Sequence, residues 1–121
     1  MEAVVKAAWG CLALTHAAPA AVLFSPGLVR RLYGIEADGD IGVLIVHRGA
    51  LFLAVVAVCV YAAFASDARR AAGLVAGVSV VGFLIVYARA GFPDGALRTI
   101  AFGDLVALVP LAVVLFSAWR A

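Results

Sequence analysis

Charge is scarce in this chain of 121 residues: 13% of it is charged, where a soluble domain carries about a quarter. The net charge is +2 with no basic run, which argues against nucleic acid as a partner. Cysteine is confined to Cys11 and Cys59, with no CxxC and no Cys/His cluster at zinc spacing. Both thiols lie in apolar stretches and read as packing residues. Within the apolar stretches, His16, His47 and Asp104 lie on three separate segments and offer no recognisable metal spacing. There is no GxSxG, HExxH, P-loop or Rossmann fingerprint, so no established catalytic signature is present.

Hydrophobic residues are plentiful instead, at 67% and a mean hydropathy of +1.17. A soluble fold of this size could not hide so much apolar surface. About 20 mostly apolar residues cross a hydrocarbon core as a helix, and four stretches qualify, at about 3–24, 41–65, 71–90 and 97–119. Gly and Pro inside them, Pro19 and Pro110 among others, are tolerated in membrane helices. Ala18-Pro19-Ala20 has some look of a signal-peptide cleavage site, but the apolar run continues to Phe24, and the segment reads as a retained first helix. The expected architecture is one all-α domain over 1–121, a four-transmembrane-helix bundle in a lipid bilayer.

The connections support that count. Ser66-Asp67-Ala68-Arg69-Arg70 is a short polar turn, and Gly91-Phe92-Pro93-Asp94-Gly95 is rich in turn formers. Between the first two spans, Ser25-Pro26 reads as an N-cap followed by Pro at the first helical position. Leu28, Val29 and Leu32 then share one face, Arg30 and Arg31 another, and Gly34 can end the turn. This predicts a short helix lying in the membrane interface. Both termini and the 66–70 turn fall on one side, the first and third connections on the far side. Lys6, Arg69, Arg70 and Arg120 balance Arg30, Arg31, Arg89 and Arg98, so orientation stays open. Trp9 and Trp119 are placed toward the termini side, as an aromatic belt would place them. Gly73 and Gly77 allow a close helix approach, expected within the bundle rather than between copies.

Ionisable side chains inside a membrane are expensive and each needs a reason. Counted inward from the far side, His16, His47, Arg48 and Asp104 share one depth, roughly 9–12 Å below the helix ends at about 1.5 Å per residue. Tyr87 and Arg89 come just above this layer and Arg98 caps it. One reading is structural: Arg48 pairs with Asp104 and the histidines hydrogen-bond them. The other is a site, with His16, His47 and Asp104 as candidate acid–base groups and Arg48, Tyr87, Arg89 and Arg98 as candidate ligand contacts. His47 and Arg48 point about 100° apart, so they cannot both face one partner. A haem held by His16 and His47 is geometrically conceivable, yet two histidines in a bundle are weak evidence, and no cofactor is strongly implied.

The runs Leu32-Tyr33-Gly34-Ile35, Ile45-Val46-His47-Arg48-Gly49-Ala50-Leu51-Phe52 and Tyr61-Ala62-Ala63-Phe64, with His16 and Gly103-Asp104-Leu105-Val106-Ala107-Leu108, resemble a family of small bacterial four-helix membrane proteins similar to the DoxX-like group. The resemblance implies a bacterial inner-membrane protein, and association of some members with quinone-linked oxidoreductases brings a quinone-related role with it. Two functions follow. The first is a small non-catalytic membrane module, either an accessory subunit of a larger complex or a binder of a lipophilic molecule such as a quinone. The alternative is a membrane-embedded enzyme acting on a lipophilic substrate.

Overall fold

The computed structural model describes residues 1–36 and 38–120, and among these every regular element is helical. They are α1 (Glu2–Ala21), α2 (Leu28–Tyr33), α3 (Gly39–Phe64), α4 (Arg69–Arg89) and α5 (Ala96–Trp119), with a 3-10 turn over Ser66–Ala68 leading into α4. The segments Gly39–Phe64, Ser66–Arg89 and Ala96–Trp119 are long and apolar enough to cross a membrane, with mean hydropathies of 2.4, 2.2 and 2.3. α1 has the length, 20 residues, but not the same apolarity. Lys6, His16 and Pro19 dilute it.

The packing explains the difference. α1 lies against α3 and α5, and α4 lies against α5 and α3, so the four long helices form a ring in which α1 and α4 are diagonal. α1 buries seven of its residues, whereas the longer α5 buries four. A helix enclosed by protein can carry polar groups that a lipid-facing one cannot. The core runs through the termini-side half, from Val5, Trp9 and Leu12 of α1 to Cys59 of α3, Ala76 and Val80 of α4 and Leu111 of α5. The Trp9 ring, 0% exposed, belongs to the same buried cluster as the small side chains of Ala62, Ala63, Ala72 and Ala76. Trp9 is therefore a core residue and not part of an aromatic belt; Trp119 is exposed. Cys59 is buried as expected of a packing thiol, but Cys11 is exposed.

Two local contacts fix the ring. At the far-side half, α1 and α3 approach so closely that a Cβ on Gly49 would lie 2.9 Å from the backbone nitrogen of Leu23 and 3.3 Å from the carbonyl oxygen of Pro19. At the termini side, the side chain of Arg69 is almost fully enclosed. Its guanidinium donates to both carboxylate oxygens of Glu2, at 2.7 and 3.2 Å, and to the carbonyls of Ala62 and Ala63 at 2.8 and 3.0 Å. Those carbonyls belong to the last turn of α3, where no helical N–H remains to receive them. One arginine thus ends α3, starts α4 and holds the beginning of α1.

α2 departs from expectation at its start. The helix begins at Leu28 after Gly27, and no side chain caps it. The carbonyls of Ser25 and Pro26 accept from Leu28 and Val29 instead, so the Ser25 hydroxyl is not the N-cap. The end agrees: Gly34 closes the helix at φ 70°, a conformation open to Gly at little cost. Val29 is buried, Leu28 and Leu32 are half-buried and Arg30 and Arg31 are exposed. α1 stops at Ala21, three residues before the expected boundary, as the chain tightens into 3-10-type bonds from Val22 to Pro19, Leu23 to Ala20 and Phe24 to Ala21.

Arg69→Ala leaves two carbonyls and a carboxylate without their donor and is expected to destabilise the bundle by roughly 2–4 kcal/mol in a denaturant titration, since a hydrogen bond to a charged group is worth about 1.5–3 kcal/mol. The hydrogen bond from Arg69 holds the Glu2 carboxyl below its usual range; the contribution of the pair is intact above the ordinary carboxylate pKa and is lost as pH falls through the lowered value. Gly49→Ala, pressed against backbone, is expected to cost about 1–3 kcal/mol. Gly77→Ala meets no atom within 4 Å, and should be neutral or stabilising by about 0.5–1 kcal/mol.

Candidate functional site

Below the far-side end of the ring lies a cavity of about 170 Å³, lined by residues of all five helices, among them His16, Leu32, Arg48, Phe83 and Asp104. Three of the polar-layer candidates therefore meet at one place. His47 does not join them: it is exposed, one residue and about 100° away from Arg48. Arg89 is exposed as well. Tyr87 and Arg98 line a separate, shallower pocket of about 360 Å³ beside the 91–95 loop, together with Phe92 and Asp94. There Tyr87 donates its hydroxyl to the Pro93 carbonyl at 2.7 Å and Arg98 pairs with Asp94 at 3.2 Å. These two side chains hold the loop.

His16 is buried and fully engaged. Its Nδ1 lies 2.8 Å from the Leu12 carbonyl oxygen and its Nε2 lies 2.8 Å from the Ser79 hydroxyl on α4. This bond crosses the diagonal of the ring. Because a carbonyl can only accept, Nδ1 carries the proton in the neutral ring, and Nε2 accepts from Ser79. With both ring nitrogens in use and His47 facing outward, the two histidines do not form a haem clasp. Among the described residues no group of three or more His, Cys, Asp or Glu is placed to hold a metal ion.

Arg48 occupies the junction of the site. The guanidinium carbon lies 4.7 Å from the centre of the Phe52 ring, 5.3 Å from Tyr33 and 5.8 Å from Phe83. Aromatic faces attract a cation and shelter it from hydrocarbon. Burial holds the Tyr33 phenol above its usual range, so this ring stays neutral beside the arginine. The expected Arg48–Asp104 ion pair is not formed: the ion pairs among the described residues are Arg30–Glu36, Glu2–Arg69 and Asp94–Arg98. Asp104 stands across the same cavity from no direct partner among the described residues. Each guanidinium carries five N–H donors, and no hydrogen bond of Arg48 to a described residue takes one up.

Arg48 also belongs to a second space. A groove of about 770 Å³ runs between α3 and α4, where helix contact is sparse, and its walls include Arg48, Phe52, Ser79 and Phe83. The exposed side chains Leu51, Val75, Val78 and Val86 form its outer rim. The groove and the cavity that holds His16 and Asp104 thus share Arg48, Phe52 and Phe83.

Sequence reasoning missed Ser79 and the aromatic rings. Ser79 was detectable, since it is the lone serine or threonine of α4. Comparisons of the chain with protein-family models, with curated proteins and with solved structures return no match.

Arg48→Lys keeps the charge but replaces the delocalised, weakly hydrated guanidinium beside three rings with a compact, strongly hydrated ammonium, and is expected to lower stability by about 1 kcal/mol, within the range of a sheltered cation–π contact. Thermal unfolding in detergent, compared with Arg89→Lys, measures it.

Proposed function

We propose that the protein is a small integral membrane module with four membrane-spanning helices, α1 being the fourth, that binds a lipophilic small molecule. In this reading α2 lies in the interface, and the membrane is a bacterial inner membrane, following the resemblance to the DoxX-like group. The observation that carries the binding role is Arg48, a guanidinium at membrane depth with no ion pair among the described residues, set where an apolar groove meets the cavity that holds His16 and Asp104. An intramembrane charge without a partner is expensive, and a ligand oxygen supplies one.

The volumes favour a ligand with a compact head and a long tail. A cavity of roughly 150 Å³ holds a benzene ring, and the space beside His16, Arg48 and Asp104 is about 170 Å³. The tail then lies in the lipid-facing groove. A quinone has this form: a ring bearing acceptor oxygens for Arg48, and an apolar chain. The arrangement equally supports a role as the ligand-holding subunit of a larger membrane complex.

Native mass spectrometry of protein released gently from its membrane tests the reading. A reproducible adduct with the mass of a lipophilic small molecule is expected on the wild type. It should be retained in His47→Ala, whose side chain faces away, and reduced at least tenfold in Arg48→Ala. Ala54→Phe, which projects a ring into the groove without touching a polar group, should also lose it. An adduct present equally in all variants, or wild-type protein arriving bare, sinks the proposal.

A further inference from the structure

We propose that Ser79 and His16 act as a nucleophile–base pair that cleaves a carboxylic ester of a long acyl chain lying in the groove between α3 and α4. The inference rests on reading this groove as the lipophile site and adds a reaction to it.

Four observations carry it. First, Ser79 spends its hydroxyl on another helix. A Ser or Thr within a helix ordinarily turns back to a carbonyl one turn earlier, as Thr15 does to Cys11 at 2.8 Å. Ser79 instead lies 2.8 Å from His16 Nε2. Second, the polarity of that bond is the one a nucleophile needs. The Leu12 carbonyl fixes the proton on Nδ1, leaving Nε2 as the acceptor for the serine proton, and the base is oriented by a third group. Third, Ser79 and Arg48 are on the walls of the same apolar groove. An ester carbonyl placed between them has a nucleophile beside it and a cation to take the charge that develops on its oxygen. Fourth, His16 has a second side: it lines the cavity that also holds Asp104, Thr15 and Thr99. At about 170 Å³ this cavity has room and polar partners for water.

The reaction balances with water as co-reactant. Ser79 Oγ adds to the ester carbonyl carbon while its proton passes to His16 Nε2. The negative oxygen of the tetrahedral adduct faces Arg48. The bond to the leaving alcohol breaks as that oxygen takes the proton from Nε2, and the acyl group remains on Ser79. Water from the polar cavity then gives a proton to Nε2 and adds to the acyl carbon. Ser79 leaves with that proton, releasing a carboxylic acid. His16 stands between the lipid-facing groove and the polar cavity, so one imidazole serves both halves. Without a serine-hydrolase sequence fingerprint, the pair is visible only in the spatial arrangement of α1 and α4.

Labelling of the purified, membrane-reconstituted full chain with a long-chain alkyl fluorophosphonate tests this. Its phosphorus takes the place of the ester carbon, fluoride leaves, and the alkylphosphonyl group stays on the nucleophile. Wild-type protein is expected to gain one such group by intact mass, located on Ser79 by peptide mass spectrometry. His16→Gln should slow labelling about a hundredfold or more, the usual weight of a general base. No label on wild-type protein, or a label on a residue other than Ser79, overturns the proposal without requiring that any variant fold. The same spectra read the bound lipophile. Protein that carries a lipophile yet resists the probe refutes the dyad and leaves the binding role standing. Protein that arrives bare yet labels at Ser79 supports the dyad and removes the stable-ligand reading.

Discussion

The close approach of α1 to α3 is the constraint on which the rest of the bundle depends. Gly49 lets the two backbones come together beside Leu23 and Pro19. In a membrane, association between helices comes from close packing of this kind because lipid tails are as apolar as the side chains they would replace. With α1 drawn inward, its polar residues acquire protein partners. His16 then reaches Ser79 on the diagonal helix, and Glu2 reaches Arg69. α1, the long helix that falls short of the apolarity of the other three, is also the one that buries the most residues.

Two arginines show what enclosure does to charge. Arg69 is almost fully engaged: a carboxylate and two carbonyls take four of its five donors, and it serves as a structural clasp at the termini side. Arg48 at the opposite end is wrapped in aromatic faces, which satisfy its charge in part but not its N–H groups. The contrast separates a charge that completes the fold from one that faces an open space. The layer is also not the set of mutual pairs expected of it: among the described residues no ion pair joins Arg48 to Asp104.

Much of the fold was legible in the amino-acid sequence. The span boundaries differ from the helices by three residues or fewer, because runs of apolar residues bounded by Gly, Pro and charge leave little freedom. The common depth of His16, Arg48 and Asp104 was legible too, since depth follows from counting along a helix. Rotation about the helix axis was not. Helices apolar on every side give no signal of which face is inward, so Trp9 was placed at the surface and His47 was grouped with Arg48, although it faces out. Ser79 escaped for a related reason: a lone hydroxyl in an apolar run gains meaning only from what lies across the ring from it. The first turn of α2 was misplaced because backbone carbonyls, which any residue supplies, took the role assigned to the Ser25 side chain.

Pro19 in the last turn of α1 has a further effect. Lacking an N–H, it cannot donate to the carbonyl of Thr15, its partner one turn earlier in a regular helix. Both residues border the cavity that contains Asp104. The last turn of α1 therefore has one backbone hydrogen bond fewer than a regular helix where it borders that cavity. The end of this helix rests on the short-range bonds of residues 22–24 and on its contact with α3 at Gly49.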